Sequence, residues 1–345
     1  MSIHPHVYLY GRSASSLLVE ESQRAVSHRA RWGVGADPER RVDPDPAMHP
    51  SCSCEARSAA SMTAGFAHHP GGAFRDATAI ELLDPPSMTK KAAGMTSRWS
   101  AAIAEGWDIS GNANGGYLLA ITARAMSAAI GRPDPITVTA HFLAPGKPGP
   151  VSVAVDVTKQ GRTFGTATAT LAAEGRPLLN VLGTFGELKD KPGPKLVDLG
   201  PPPMPAADRC IPVDPTDTFP PPFMGRVELR LHPDDATFLR GNPSGHALMR
   251  GWFRLRDGES IDTVALLCAS DAFPPTVFNA NLPVSWTPTI ELTTHVRYRP
   301  KSGWLRCRFA THFVTGGFLE EDGEIWDAAG RLVAQSRQLA LVPSS

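Results

Sequence analysis

The chain repeats itself. Thr139-Ala-His141 and Thr293-Thr-His295 lie 154 residues apart, as do Phe164 and Phe318, while Gly161 and Gly316, and Gly175-Arg176 and Gly330-Arg331, are separated by 155. A spacing held this constant across separate motifs means that one ordered run of elements occurs twice. In the first copy, strand-like runs at Phe74–Leu83 and Ser97–Trp107 precede a stretch from Gly111 to Ile130 that is apolar nearly all round. The pattern predicts a buried helix opened by Asn114-Gly115-Gly116 and closed by Gly131 and Pro133. Four further runs follow, Ile136–Leu143, Val151–Thr158, Thr163–Ala172 and Leu178–Glu187, rich in β-branched residues and divided by turn signals.

The second copy has the same order. Strands are expected at Val227–Leu231 and Ala247–Arg254, a helix over Ser260–Phe273, and strands at Thr289–Tyr298, Trp304–Val314, Phe318–Trp326 and Leu332–Leu341. A sheet with one apolar face needs a partner, and an all-apolar helix supplies it. The expected fold is therefore α+β: two antiparallel sheets, each wrapped around a central apolar helix, related by internal duplication and paired edge to edge. The boundaries read as an N-terminal unit over 73–188, a proline-dense linker over 189–222 and a C-terminal unit over 223–345. The linker is expected to run extended across the surface.

Residues 1–72 read differently, as a charged, proline-broken and solvated extension. His49, Cys52 and Cys54 fall within it, but three ligands without a fourth give little support for a metal, and Met62 or Met88 would serve as alternative starts. With 34 basic and 34 acidic residues, the chain has no formal net charge, which argues against a general nucleic-acid binder. Five irregularly spaced cysteines suggest a reducing compartment rather than a disulfide framework. No run is long and apolar enough to span a membrane and no secretory leader is evident, so a cytoplasmic location is expected.

The chemistry shows where the copies differ. The second helix carries a carboxylate, Asp271, among Leu, Cys, Ala and Phe, where the first has no acid at all. An isolated charge in apolar surroundings is costly unless it is paired or used. Counting from the shared Gly-Arg pairs, Gln338 of the second copy stands where Gly183 stands in the first. Asp271 thus becomes a candidate general base and Gln338 a candidate for orienting water. The Gly115-Gly116 amides, at a helix start, could receive a developing oxyanion. There is no Gly-x-Ser-x-Gly elbow, and Cys268 reads as packing, so no covalent intermediate is called for. His141 and His295 recur in both copies, which favours a structural role. Trp107, Trp252, Trp286, Trp304 and Trp326 read as core or rim, and Arg162, Arg297, Arg299 and Lys301 as solvated strand-end charges.

Residues 73–343 resemble the acyl-CoA thioesterase II family, a double hotdog fold, and in particular its thioesterase-like bacterial branch. The resemblance rests on Asn114-Gly-Gly-Tyr117, His141-Phe-Leu-Ala-Pro145, Gln160-Gly-Arg-Thr-Phe164, Ala269-Ser-Asp271 and Leu332-Val-Ala-Gln-Ser-Arg-Gln338. It implies a hydrolase of lipid metabolism in which an Asp, a Thr or Ser, and a Gln hold the water that attacks the thioester. Asp271 and Gln338 fall on the first and last of these; Gly115, Gly116 and Tyr117 are the oxyanion and substrate-binding candidates. For the hydroxyl, Thr289-Ile-Glu291 fits the family's Thr/Ser-aliphatic-Asp run with a one-residue gap, and an ungapped count back from Arg299-Pro300 lands on Ile290. Thr293, expected on the same strand face as Thr289, is the alternative. The resemblance also implies an acyl-CoA substrate, no metal or other cofactor, and a homo-oligomer. Two other readings stay open: a non-catalytic acyl-CoA binding protein, and a hotdog hydratase or dehydratase.

Overall fold

The computed structural model describes residues 73–88, 95–190, 196–216 and 219–343. The expectations for residues 1–72, with His49, Cys52, Cys54 and Met62, lie outside them. The described chain begins with a short helix, α1 (Ala73–Ala77), followed by β1 (Glu81–Met88) and β2 (Met95–Ile103). A small hairpin, β3 (Asp108–Ile109) and β4 (Asn112–Ala113), leads into the long helix α2 (Gly115–Ile130). Then come β5 (Asp134–Phe142), β6 (Gly149–Gln160), β7 (Gly165–Ala173) and β8 (Arg176–Gly186). The second half contains β9 (Ile211–Pro212), β10 (Val227–Leu231), β11 (Leu248–Leu255), a single-turn helix α3 (Ala265–Ala269), and β12 (Thr289–Val296). It ends with β13 (Leu305–Ala310), β14 (Val314–Thr315), β15 (Phe318–Trp326) and β16 (Leu332–Leu341).

The two expected sheets are one. Among the described residues fourteen strands join in the order β1-β2-β6-β7-β8-β5-β12-β16-β15-β13-β11-β10-β9, with β14 beside β15. The order reads the same outward from the middle: β5-β8-β7-β6-β2-β1 on one side, β12-β16-β15-β13-β11-β10 on the other. At the seam β5 and β12 run antiparallel with Thr139 opposite Thr293, and their hydroxyls lie 2.8 Å apart. Closing the seam removes two edges that would otherwise leave unpaired backbone groups. It follows that two sheets of this kind, meeting edge to edge, become continuous.

Alternation along the strands sets the core. On β6, Val151, Val153, Val155 and Val157 point inward and their neighbours outward. α2 lies inside the curl of the first half, which explains why eleven of its residues are buried and why it carries no polar face. The Asn114 side chain accepts from Tyr117 N at 2.9 Å to cap its start, and Gly131 ends it in the left-handed region at φ 69°.

The second helix is much shorter than the sequence suggests. Of 260–273 only Ala265–Ala269 is helical; Asp262 caps it through the Val264 and Ala265 amides. Beyond it the Ser270 hydroxyl bonds back to Leu267 O, and Pro274-Pro275 exclude further helical bonds, so the chain turns at Asp271. Residues 74–77, expected as strand, fall in the helix Ala73–Ala77 because carboxylates from far along the chain cap it. Asp257 accepts from Ala73 N, and Glu259 accepts from Phe74 N and Arg75 N. The proline-dense linker is also more than a surface tether. Val213 is buried, β9 extends the sheet beside β10, and Pro205 O accepts from the Trp252 indole at 2.9 Å.

Candidate active site

A cavity of about 840 Å³ opens where the start of α2, the turn after α3 and the head of β12 converge. Asn114, Gly115, Asp271, Thr289, Glu321 and Gln338 line it, among apolar neighbours such as Phe142, Phe273 and Phe278. The sharp turn after α3 puts Asp271 at the mouth of α2. There Gly116 N donates to its Oδ2 at 2.8 Å, Asn114 Nδ2 donates to the same oxygen at 3.1 Å and to Asp271 O at 2.8 Å, and the Gly115 amide faces it too. This contact requires glycines. A Cβ on Gly116 would sit 2.7 Å from Leu267 O and 2.8 Å from Asp271 Cβ; one on Gly115 would meet Phe142 at 2.6 Å.

Burial pushes the Asp271 carboxyl up to about 6, and the Gly116, Gly115 and Asn114 donors hold it from rising further. The result is a carboxylate mostly ionised at neutral pH yet basic enough to take a proton, as a general base must be. The amides expected to face an oxyanion are therefore spent on Asp271. That expectation fails because the turn at Asp271 brings the carboxylate into the place a substrate oxygen would need.

Gln338 is buried on β16 and its side chain lines the cavity, as does that of Thr289. Among the described residues neither side chain has a hydrogen-bond partner, which leaves both free for a ligand or a water. Thr289 reaches this position through a bulge. On β12 Thr289 pairs with Ala340 and Glu291 with Leu339, so Ile290 is the extra residue. Ala340 and Gln338 share the inward face of β16, and Thr289, opposite Ala340, joins them. The same extra residue accounts for the one-residue gap in the sequence motif.

Thr293 falls on the other face. It pairs with Arg337, and its hydroxyl meets that of Thr139 and the carboxylate of Glu291, outside the cavity. The expectation that Thr289 and Thr293 share a face fails because a bulge reverses the alternation. Tyr117 is likewise not brought to the cavity: it is fully buried, stacks on Trp107, donates to Ala77 O at 2.8 Å and accepts from Ala104 N at 3.0 Å. Burial pushes its hydroxyl up to about 12 and raises the Cys268 thiol as well, so neither ionises at neutral pH. Arg299 is held by Asp134 at 2.8 Å, at the far end of the seam.

Two cavity residues escaped the sequence reading. Asn114 was visible only as a helix opener, since its second role depends on a residue 157 positions away. Glu321 had a readable signal: alternation on β15 places it on the inward face with Leu319 and Ile325.

Residues 103–186 match the acyl-CoA thioesterase N-terminal domain, and residues 203–342 the acyl-CoA thioesterase C-terminal domain. A structure from Thermobifida fusca YX, described as a thioesterase II, is similar at 32% identity and a TM-score of 0.69, over 80% of this chain and 99% of that one. The chain belongs to the acyl-CoA thioesterase II family. A hot dog fold protein from Alicyclobacillus acidocaldarius aligns with this family member at 20% identity and a TM-score of 0.66, covering 79% and 98% of the two chains. That likeness shows a hotdog fold. An uncharacterized protein of Mycobacterium tuberculosis is 28% identical over 270 residues, 70% of this chain and 89% of its own. Among the described residues no helix is long and apolar enough to cross a membrane, and no cluster of metal-ligating side chains forms.

Proposed function

We propose that this chain is an acyl-CoA thioesterase that hydrolyses its substrate to free acid and CoA by direct attack of water. The observation that carries this is the convergence, in one cavity, of a buried carboxylate held by three donors with two free water-holding side chains. Thr289 and Gln338 fix a water between Asp271 and the thioester carbonyl carbon. Asp271 takes a proton as the water oxygen bonds to that carbon, giving a tetrahedral intermediate. When it collapses the carbon–sulfur bond breaks, and the proton on Asp271 passes to the departing thiolate. Holding the water in place removes much of the entropic cost of bringing it to the carbonyl. Thr289 is the hydroxyl in this mechanism; Thr293 and Tyr117 have no part in it.

The fold reading that goes with this is a double hotdog formed by duplication of one unit. It is supported by the mirrored strand order and by a pair of residues at the repeat spacing that touch one another, Thr139 with Thr293. Contact between equivalent residues is what an internal two-fold axis produces. The homo-oligomer, the role in lipid metabolism and the cytoplasmic location are further parts of this proposal.

The test is free-thiol release from a panel of acyl-CoAs, wild type beside Asp271→Asn. Hydrolysis should fall by about 10²–10⁴-fold in the variant while acyl-CoA binding persists. Equal turnover by the two proteins would remove Asp271 from the chemistry. Tight binding without thiol release would instead identify an acyl-CoA binding protein.

A further inference from the structure

The cavity holds a second carboxyl that the hydrolytic step leaves idle. Glu321 lies on β15 directly across from Gln338 on β16, so the two side chains stand side by side on the inward face, with Cβ atoms about 4.5–5.5 Å apart. It is 6% exposed and lines the same cavity as Asp271. Where Asp271 is met by three donors, one Glu321 oxygen accepts a single backbone amide, Thr276 N, at 2.9 Å. The neighbouring hydroxyl of Thr276 has no proton to give. Thr311 donates to Glu320 O at 2.7 Å, so the 2.6 Å contact between Thr311 and Thr276 is donated by Thr276. No basic side chain pairs with Glu321 among the described residues. Burial pushes it up to about 7, and the charge on Asp271 pushes the same way, so near neutrality it is substantially protonated.

A neutral carboxyl in a cavity that Phe273, Pro275 and Phe278 also line has one O–H to donate and lone pairs left to accept. A plain hydrocarbon chain laid over it would leave those groups without partners once water is displaced. A hydroxyl both donates and accepts, and so satisfies the carboxyl in either orientation. We propose that Glu321 is a specificity-determining residue that selects acyl groups bearing a hydroxyl, so that the substrate class is hydroxyacyl-CoA rather than unsubstituted acyl-CoA. This rests on the thioesterase reading of the cavity and narrows it.

The experiment compares α- and β-hydroxyacyl-CoAs with unsubstituted acyl-CoAs of equal chain length, by thiol release and by calorimetric binding. Proteins compared are the wild type, Glu321→Gln and Glu321→Met. Wild type should favour one hydroxyacyl-CoA by about tenfold or more, because a site built to hydrogen-bond a substrate group rejects the analogue lacking it. Glu321→Gln, which keeps a donor and an acceptor, should retain that preference; Glu321→Met should lose it and gain on the unsubstituted chain. Wild type that prefers the unsubstituted acyl-CoA overturns the proposal without any variant. So does a selectivity ratio unchanged in Glu321→Met. If no thioester releases thiol, hydrolysis is lost as a reading, yet a calorimetric preference for the hydroxyacyl-CoA still upholds the role of Glu321 and its absence still removes it.

Discussion

The two halves of the molecule share a strand order but divide the work. In the first, a sixteen-residue helix fills the curl of the sheet without interruption and ends at Gly131. In the second, the corresponding helix stops after five residues, and the chain turns to deliver Asp271 to the start of the first. At the repeat spacing, Gly183 stands where the second half has Gln338. One half therefore contributes a helix mouth with bare backbone, and the other contributes the side chains of Asp271 and Gln338 to the same cavity.

If that division holds, filling the bare backbone should damage the site most. Gly116→Ala places a Cβ against Leu267 O and Asp271 Cβ, so the second half must shift. Stability should fall by about 1–3 kcal/mol, and thiol release by about 10²-fold from misplacement of the carboxylate. Unchanged melting and turnover would show that the helix mouth does not position Asp271.

The next sharpest test makes the second half resemble the first. Gln338→Gly copies Gly183 and should lower kcat by roughly tenfold or more through loss of water orientation. Circular dichroism should show the sheet intact. A paired comparison across the β12 bulge comes after it. Thr289→Val should lower kcat by about tenfold, whereas Thr293→Val, on the far face, should stay within about twofold. Equal losses from both would mean that the bulge does not decide which threonine serves the cavity.

A further test is thermodynamic. Asp271 has a folded pKa of about 6, above its ordinary value of 3.8, so the folded state binds a proton more readily than the unfolded chain. Stability should then decline as pH rises from about 4 to about 6 and level off above. Asp271→Asn, which cannot ionise, should melt higher than wild type at pH 8, with the gap closing toward pH 4, as followed by calorimetry. In the wild type, kcat/KM should climb with pH up to about 6 and then plateau, as ionised base accumulates.

Much of this is legible from residues alone. Alternation fixes most strands, because a period of two is imposed by the pleat and needs no tertiary information. Val227–Leu231, Phe318–Trp326 and Leu332–Leu341 occupy the expected spans. The repeat spacing foretells the mirrored strand order, and residue type and motif alone make Asp271, Gln338 and Thr289 candidates. What escapes depends on contacts distant in sequence. Glu259 turns residues 73–77 into a helix across 185 positions, a carboxylate cap that no local propensity reveals. Joining of the two sheets is settled at the seam, where register between β5 and β12 depends on both halves being folded. Whether the Gly115 and Gly116 amides face a substrate or a carboxylate is decided by the turn at Asp271, and the face occupied by Thr289 by one bulged residue. Residue type and periodicity determine which groups can do chemistry here; only the packing of one half against the other decides which of them meet.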